Sequence, residues 1–333
     1  MRSWRVWLGF GISLVFLYFA VRGQDFERIG EALREASYIW LVPALVAYFL
    51  GVAVRSIRWH FLLRSVQDIA PRNLFPIVTI GFMANNVLPF RAGEVVRAYA
   101  LSARYGVRKS AALATIAIER IFDGMTMLIF MLVASLSIAL TSDLRAVAII
   151  AAILFSLLSA MLVLFVFLPG LRDRAIDVSV HFLPERAGSR VQEMAHSFFE
   201  GLGILKRRQD LISVGLTSLL AWLLEGSMYL LIIEGFKLHV SPLAILMVTA
   251  VANLATLIPS SPGYVGPFET GVLLVLNGAL GIERELALSF AIVVHAALYF
   301  PITIFGLVLW WRESLSWREV RQSEGVNGVV GDG

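Results

Sequence analysis

The chain has 333 residues, of which 58% are hydrophobic and 16% are charged, and its mean hydropathy is +0.79. Soluble domains carry about 25% charged residues, so the composition excludes an ordinary soluble protein and predicts an all-α polytopic membrane protein. The absence of cysteine excludes disulfides, a thiolate nucleophile and cysteine-based metal sites. A formal charge of +4 does not call for a nucleic-acid partner, because membrane proteins collect Lys and Arg on their cytoplasmic side.

Six apolar runs are each long enough to cross the bilayer, which takes about 20 residues. The first run follows two Arg residues and lacks a small-residue cleavage site before residue 22, which predicts an uncleaved span. Two further apolar runs are interrupted by Asn, Pro, Gly and charged residues. In chain order, the predicted full spans are 4–22, 38–58, 110–140, 145–168, 210–234 and 286–311, and the interrupted runs are 74–104 and 242–281.

The first interruption contains the stretch "ANNVLPFRAGEVVRAY" at residues 84–99. Pro89 ends one half-helix because it has no N–H to donate. A second half-helix begins a few residues later, and its free N–H groups and positive dipole end favour an anion. Arg91, Glu94 and Arg97 are spaced three apart, so they share one face of that helix. The break therefore predicts a polar pocket that an anionic group can enter.

The second interruption repeats the order of residue types in the first. Residues 84–94 and 252–269 each contain Ala-Asn, apolar residues, Pro, Gly and then a Glu near a helix start, and Pro267 suits the first helical turn. The order of elements also repeats, as two spans, an interrupted segment and a span. We therefore predict an inverted-topology repeat with halves of about 4–140 and 145–311, whose interrupted segments enter the membrane from opposite faces.

Transporters place discontinuous helices at their substrate sites, with half-helix ends directed at the substrate. On this basis we expect Arg91, Glu94 and Glu269 to converge near the middle of the membrane. Asn85 and Asn86 have two interpretations, since their side chains either line this site or only cap the broken backbone.

Other ionisable residues lie inside the predicted full spans. Glu119, Arg120 and Asp123 occur in "IERIFDG", Glu225 in "WLLEGSMYL" and His295 in "AIVVHAALYF". Charges at this depth are costly and usually face a bundle interior or a cavity. They are candidates for substrate binding, and the alternative is a structural ion-pair network. For His295 we favour a hydrogen-bonded packing role.

The distribution of basic residues predicts that both termini are cytoplasmic. With six full spans, 21 of the 28 Lys and Arg residues lie on the side of the N-terminus, six lie on the other side and one lies within a span. The predicted connection 170–209 is an amphipathic cytoplasmic helix, which either packs on the bundle or touches anionic lipid. Residues 1–312 are predicted to form one transmembrane domain, and the Gly-rich tail 313–333 is predicted to be disordered. The apolar face of the connection consists of Val191, Met194, Phe198, Leu202 and Leu205.

Four stretches of the sequence resemble one known family. "GFMANNVLPFRAGEVVRAY", "IERIFDG", "PSSPGYVGPFE" and "RSIRW" are similar to the transmembrane region of the lysylphosphatidylglycerol synthase family, which is also described as flippase-like, and the resemblance covers about 5–312. The resemblance implies movement of a lipid between leaflets. In that family a separate soluble domain makes the lipid, and only about 20 residues follow Arg312, so we expect no lipid aminoacylation by this chain.

Three functions are compatible with the sequence. The first is a lipid translocase for an anionic, aminoacylated or polyprenyl-phosphate-linked lipid, and it requires no cofactor. The motif GxxxxGK[ST] is absent, so such transport would be passive or ion-coupled. The second is a non-transporting accessory subunit of an envelope-lipid pathway. The third is an intramembrane lipid-modifying enzyme, although HExxH and GxSxG are absent and the five His residues are scattered.

Overall fold

The computed structural model describes residues 3–88, 92–181 and 184–312. All regular elements in these ranges are helical, with short 3-10 turns at Tyr38–Trp40, Leu202–Lys206 and Pro262–Tyr264. The α-helices are α1 (Ser3–Val21), α2 (Phe26–Glu35), α3 (Leu41–Leu63), α4 (Pro71–Val87), α5 (Gly93–Tyr105), α6 (Lys109–Ala134), α7 (Ser142–Phe167), α8 (Pro169–His181), α9 (Glu185–Gly201), α10 (Arg208–Gly235), α11 (Pro242–Ala255), α12 (Pro267–Leu276) and α13 (Arg284–Arg312). This all-α architecture confirms the predicted fold class.

Four helices in the described ranges are long and apolar enough to cross a membrane, namely α3 with the turn before it, α7, α10 and α13. The remaining two predicted full spans correspond to α1 and α6. Helix α6 has 26 residues, a length of about 39 Å, but it carries three charged residues near its middle. The predicted spans agree with the helices to within three residues, except that α3 ends at Leu63 instead of residue 58 and α6 ends at Ala134 instead of residue 140. The protein is therefore a multi-pass membrane protein.

Both interrupted runs are broken in the structure. Helix α4 ends at Val87 before α5 begins, and α11 ends at Ala255 before α12 begins. The second break needs glycine, because Gly266 has a φ of 97° and immediately precedes α12. At the first break, a Cβ on Gly93 would overlap the Gly81 carbonyl oxygen, so α5 can approach α4 closely. Entry of the two segments from opposite membrane faces stays a prediction.

Long-range packing brings the two halves of the chain together. Helix α3 packs along α10, α4 packs along α13, and α11 packs against both α6 and α12. Trp59, Phe130, Tyr229 and Phe290 are fully buried in this core. The arrangement surrounds the ends of the broken helices with α3, α6, α10 and α13.

Helix α2 is not among the elements predicted from the sequence and lies between the first two predicted spans. Phe26, Ile29 and Leu33 recur at helical spacing, and the Asp25 carboxylate accepts hydrogen bonds from the Glu27 and Arg28 N–H groups. These two signals would have identified the helix. The helix packs against α13.

The connection between the halves is helical, as predicted, and it packs on the bundle. Helix α9 lies against α6, with Phe198 packed against the core and Leu202 fully buried at its end. Val191 and Met194 are exposed, so only part of the predicted apolar face is covered. Contact of the exposed part with anionic lipid stays a prediction. The predicted disordered tail lies outside the described residues.

Candidate functional site

A polar cavity of about 110 Å³ lies where the broken helices meet the long ones. Its walls come from α3, α4, α6, α10, α11, α12, α13 and the Pro262–Tyr264 turn. Charged groups, amides and aromatic rings line it together, and charged groups are rare in the interior of a membrane domain. The ionisable lining consists of Arg55, Arg120, Asp123, Glu225 and His295. The aromatic lining includes Tyr48, Phe82, Trp222, Tyr264, Phe268 and Tyr299.

Glu119 on α6 lies at the centre of a buried ion cluster behind this cavity. Arg97 of α5 donates to both carboxylate oxygens, over 2.9 and 3.0 Å. Arg58 of α3 lies 3.2 Å from Glu119, and Arg120 donates to it over 2.5 Å. Because Glu119 is 1% exposed, three guanidinium groups compensate the cost of burying its charge. The cluster joins α3, α5 and α6.

Asp123, one turn further along α6, extends the cluster to the cavity wall. Its Oδ1 accepts hydrogen bonds of 2.6 Å from Arg58 and 2.7 Å from the Trp222 indole. Its Oδ2 lies 2.9 Å from Arg120, whose Nε lies 3.7 Å from Glu94. Arg58, Arg97 and Arg120 thus face three carboxylates, and the cluster has no formal net charge. Arg120 is the accessible cation of the three, with 27% of its side chain exposed against 0% for Arg58.

A second ion pair lies across the cavity. Arg55 of α3 donates to Glu225 of α10 over 2.7 Å, and both side chains are buried. The Asn253 amide donates to Glu225 over 3.2 Å, and the Arg55 guanidinium lies 4.7 Å from the Trp222 ring centroid. The pair therefore cross-links the two halves of the chain beside the second break.

Glu269 and His295 form a third pair at the start of α12. The His295 Nδ1 lies 2.5 Å from one Glu269 oxygen, and the other oxygen accepts a 2.7 Å hydrogen bond from the Gly266 N–H. The His295 Nε2 lies 2.6 Å from the Gly263 carbonyl oxygen. This pair fixes the second broken segment onto α13.

The two asparagines at the end of α4 hold the first break in place. The Asn85 Oδ1 accepts from the Gly93 N–H over 2.8 Å, which satisfies a free donor at the start of α5. The Asn86 amide donates to the Tyr299 carbonyl oxygen and the Thr303 hydroxyl of α13, over 3.2 and 2.9 Å. Both side chains also line the cavity, so the two interpretations of these residues are compatible.

The structure brings most of the predicted site residues together. Asn85, Asn86, Arg120, Asp123 and Glu225 line the cavity directly. Arg97 and Glu119 lie behind the wall, as the structural alternative has it. Glu94 and Glu269 bind different partners, Arg120 and His295, and both of these partners line the cavity. Arg91 and Pro89 lie outside the described residues, so the predicted convergence with Arg91 stays a prediction.

Two basic residues of this region, Arg55 and Arg58, are not among the site residues predicted from the sequence. The positive-inside count includes both of them as cytoplasmic charges, together with the site candidate Arg97, although all three are at most 4% exposed and pair with carboxylates. Removing them from the count of 21 leaves 18 against six, so the charge asymmetry remains. The helical spacing of Arg55 and Arg58 within an apolar run was the available signal. His295 packs as expected, and it also lines the cavity.

An apolar groove of about 290 Å³ adjoins the polar cavity. The two share five lining residues, and α7 supplies the outer wall of the groove through Leu154, Phe155 and Leu158. Leu154 and Leu158 are partly exposed on a helix that is apolar all round, so this wall faces lipid. The shared residues are Arg120, Asp123, Trp222, Asn253 and Thr256.

The described ranges contain no group of three or more His, Cys, Asp or Glu side chains arranged to hold a metal ion. The chemistry that this part of the site offers is hydrogen bonding, ion pairing and aromatic contact.

Comparison with known proteins relates the chain to one family. The sequence profile described as "Lysylphosphatidylglycerol synthase TM region" matches residues 6–306. Two proteins of Methanothermobacter thermautotrophicus named "UPF0104 membrane protein" are similar. One is 27% identical over 84% of this chain and 87% of the relative, and the other is 28% identical over 92% and 93%. "Glycosyltransferase AglD" of Haloferax volcanii is 25% identical over 89% of this chain, and this chain spans 51% of that relative.

Proposed function

The chain belongs to the lysylphosphatidylglycerol synthase transmembrane-region family, and on that premise we propose that it moves a polar-headed lipid between the leaflets of the cytoplasmic membrane. The observation that carries the proposal is the junction of the polar cavity with the apolar groove on the lipid-facing side of α7. A membrane lipid has a polar and an apolar end, and these two compartments match them.

The head group occupies the polar cavity in this proposal. Moving a head group through hydrocarbon is costly because its polar atoms lose water. The amides of Asn85, Asn86 and Asn253, together with Trp222 and Tyr299, replace part of that water. The chain of the lipid stays in the groove beside Leu158 during the movement.

A phosphate in the head group binds Arg120. Arginine stays charged and offers several N–H donors in a fixed plane, which suits a phosphate oxygen pair. Arg120 already contacts Glu94, Glu119 and Asp123, and it is the most exposed arginine of the cluster. A phosphate that displaces the looser 3.7 Å contact with Glu94 would leave the two shorter contacts intact. The proposed substrate class is therefore a phosphate-containing lipid, whether anionic, aminoacylated or polyprenyl-linked.

Reconstitution into vesicles tests the proposal. The vesicles carry a fluorescent phospholipid in both leaflets, and a membrane-impermeant quencher is added outside. If the protein moves lipid, the quencher removes nearly all fluorescence, whereas protein-free vesicles lose only the outer-leaflet fraction. Fluorescence loss equal to that of protein-free vesicles, for phospholipid and polyprenyl-phosphate reporters alike, would contradict translocation.

A second candidate function is that of a membrane subunit serving a separate enzyme. It is favoured by the Haloferax volcanii relative, because this chain matches only about half of a protein whose name describes a glycosyltransferase. Under that function the wild-type protein would bind the reporter lipid without moving it, and the same vesicles separate the two outcomes.

A further inference from the structure

His295 lies between two oxygen atoms, which restricts where its protons can be. The Nε2 lies 2.6 Å from the Gly263 carbonyl oxygen and the Nδ1 lies 2.5 Å from a Glu269 carboxylate oxygen. A carbonyl oxygen can only accept a hydrogen bond, so the Nε2 carries a hydrogen. The remaining question is what lies between Nδ1 and the carboxylate.

A proton must lie between Nδ1 and Glu269. If the imidazole were neutral with its hydrogen on Nε2, and the carboxyl were ionised, two lone pairs would face each other across 2.5 Å. A charged imidazolium with a carboxylate satisfies the contact, and so does a neutral imidazole with a protonated carboxyl. Both states contain two protons on the Glu269–His295 pair, one on Nε2 and one between Nδ1 and the carboxylate. Removal of the second proton gives the deprotonated form of the pair.

That proton holds the second broken segment in place. Glu269 also accepts from the Gly266 N–H at the start of α12, and His295 also binds Gly263 within the preceding turn. Loss of the proton would make the Glu269–His295 contact repulsive and free α12 from α13 at this point. Proton binding and the position of the half-helix are therefore linked in the geometry.

The pair shares the cavity with other titratable and charged groups. Imidazole exchanges protons near neutral pH more readily than any other side chain, whereas the charged groups around this one are in ion pairs. The titratable and charged groups that line the same cavity are Tyr48 and Arg55 from α3, Arg120 and Asp123 from α6, Glu225 from α10, Tyr264 from the turn, and Tyr299 from α13 itself. The Tyr299 ring centroid lies 6.5 Å from that of His295, and Tyr229 of α10 packs against Phe268, the neighbour of Glu269. Arg55 pairs with Glu225 and Arg120 pairs with Asp123.

We propose that the Glu269–His295 pair is the proton-binding site of a proton-coupled lipid transport cycle. The proposal rests on the lipid translocation proposed above and adds its energy source. In each cycle the pair releases one proton to water in the cavity, the half-helix α12 moves with the lipid, and the pair takes up one proton from the opposite side. No covalent bond other than N–H or O–H forms or breaks.

A pH gradient across reconstituted vesicles tests this coupling. One proton per lipid at a gradient of one pH unit can shift the steady-state ratio of reporter phospholipid between the leaflets by up to about tenfold. Reversing the gradient should shift the ratio in the opposite direction, and a pH dye inside the vesicles should report proton flow during lipid movement. Both readouts should vanish in Glu269→Gln. The glutamine amide can donate to a neutral His295 and accept from Gly266, so this variant should keep its fold without a mobile proton.

The matched control is Glu283→Gln, which removes an exposed carboxylate paired with Arg28 outside the cavity. It should respond to the gradient as the wild type does. Lipid movement by the wild type that is indifferent to the gradient and carries no proton flow would overturn the coupling and leave translocation standing. A gradient response that persists in Glu269→Gln would overturn the assignment to this pair. Absence of any lipid movement by the wild type would defeat translocation and the coupling together.

Discussion

Arg97 and Glu119 form two parallel hydrogen bonds of 2.9 and 3.0 Å in the buried centre of the bundle, while the Arg97 guanidinium lies 4.2 Å from the Trp59 ring centroid. Planar pairing and stacking suit arginine and not lysine. The pair attaches α5, which begins after the first break, to the long helix α6. The motif at residues 84–99, which the sequence predicts to form a binding site, therefore includes a residue that holds a half-helix in place.

We predict that Arg97→Lys destabilises the protein and that Arg97→Met does so more severely. Removing one partner of a buried pair costs about 3–5 kcal/mol because it leaves the other charge uncompensated. The cost should lie near the lower end, since Arg58 and Arg120 still contact Glu119. Thermal unfolding of the purified protein in detergent is the measurement.

Its control is Arg34→Met, which removes an exposed arginine from α2 and should leave the unfolding temperature within error of the wild type. In a double-mutant cycle, adding Glu119→Gln to Arg97→Met should recover part of the lost stability. Equal unfolding temperatures for Arg97→Met and the wild type would contradict a structural role for the pair.

The second prediction separates Arg120 from Arg58. Arg120→Gln should fold and insert, because the Arg120 side chain is partly exposed to the cavity. The variant should move a phosphate-containing lipid at least about tenfold more slowly, because it loses a charge-assisted hydrogen bond to the phosphate. Arg58→Gln should instead lower abundance, because this side chain is fully buried against Glu119 and Asp123.

Both variants are compared by protein abundance in membranes and by lipid movement per molecule in vesicles. Normal lipid movement by well-folded Arg120→Gln would remove Arg120 from the binding role. Normal abundance of Arg58→Gln would contradict the structural role predicted for Arg58.

Helix boundaries could be read from the sequence because bilayer thickness and local breakers determine them. The apolar runs gave the long helices, and the Pro and Gly residues located both breaks. The ion pairs could not be read from the sequence in the same way, because partners such as Arg55 and Glu225 lie 170 residues apart in the chain. The positive-inside pattern even assigned Arg55 and Arg58 to the wrong environment, since it counts charge near span ends and not burial. The groove beside α7 arises only from packing, and no local pattern encodes it.

The third prediction concerns the inverted repeat. Val87 ends α4 at the first break, Val265 lies within the second break, and both are exposed; the chain contains no native cysteine. In intact cells, Val265→Cys should react with a membrane-impermeant maleimide added from outside. Val87→Cys should react only when the cytoplasmic side is accessible, as in inverted vesicles.

These directions follow from the charge asymmetry, which also predicts that both termini are cytoplasmic. Reaction of both cysteines from the same side would contradict the inverted repeat, whatever the orientation of the termini. A Cys at the exposed Lys237 position, which the six-span topology places outside, serves as the positive control for labelling from that side.

Filling the groove tests most directly whether lipid passes along the cavity and groove together. Leu158 lines the groove, whereas its neighbour Leu157 on the same apolar helix is not part of the lining and is 65% exposed. The measurement is the rate of quencher-detected lipid movement in vesicles containing wild type, Leu158→Trp or Leu157→Trp, at equal amounts of folded protein. We predict that Leu158→Trp slows lipid movement about tenfold or more, because the indole occupies the space of the lipid chain, while Leu157→Trp matches the wild type. Equal rates for all three proteins would contradict passage of the lipid through this groove.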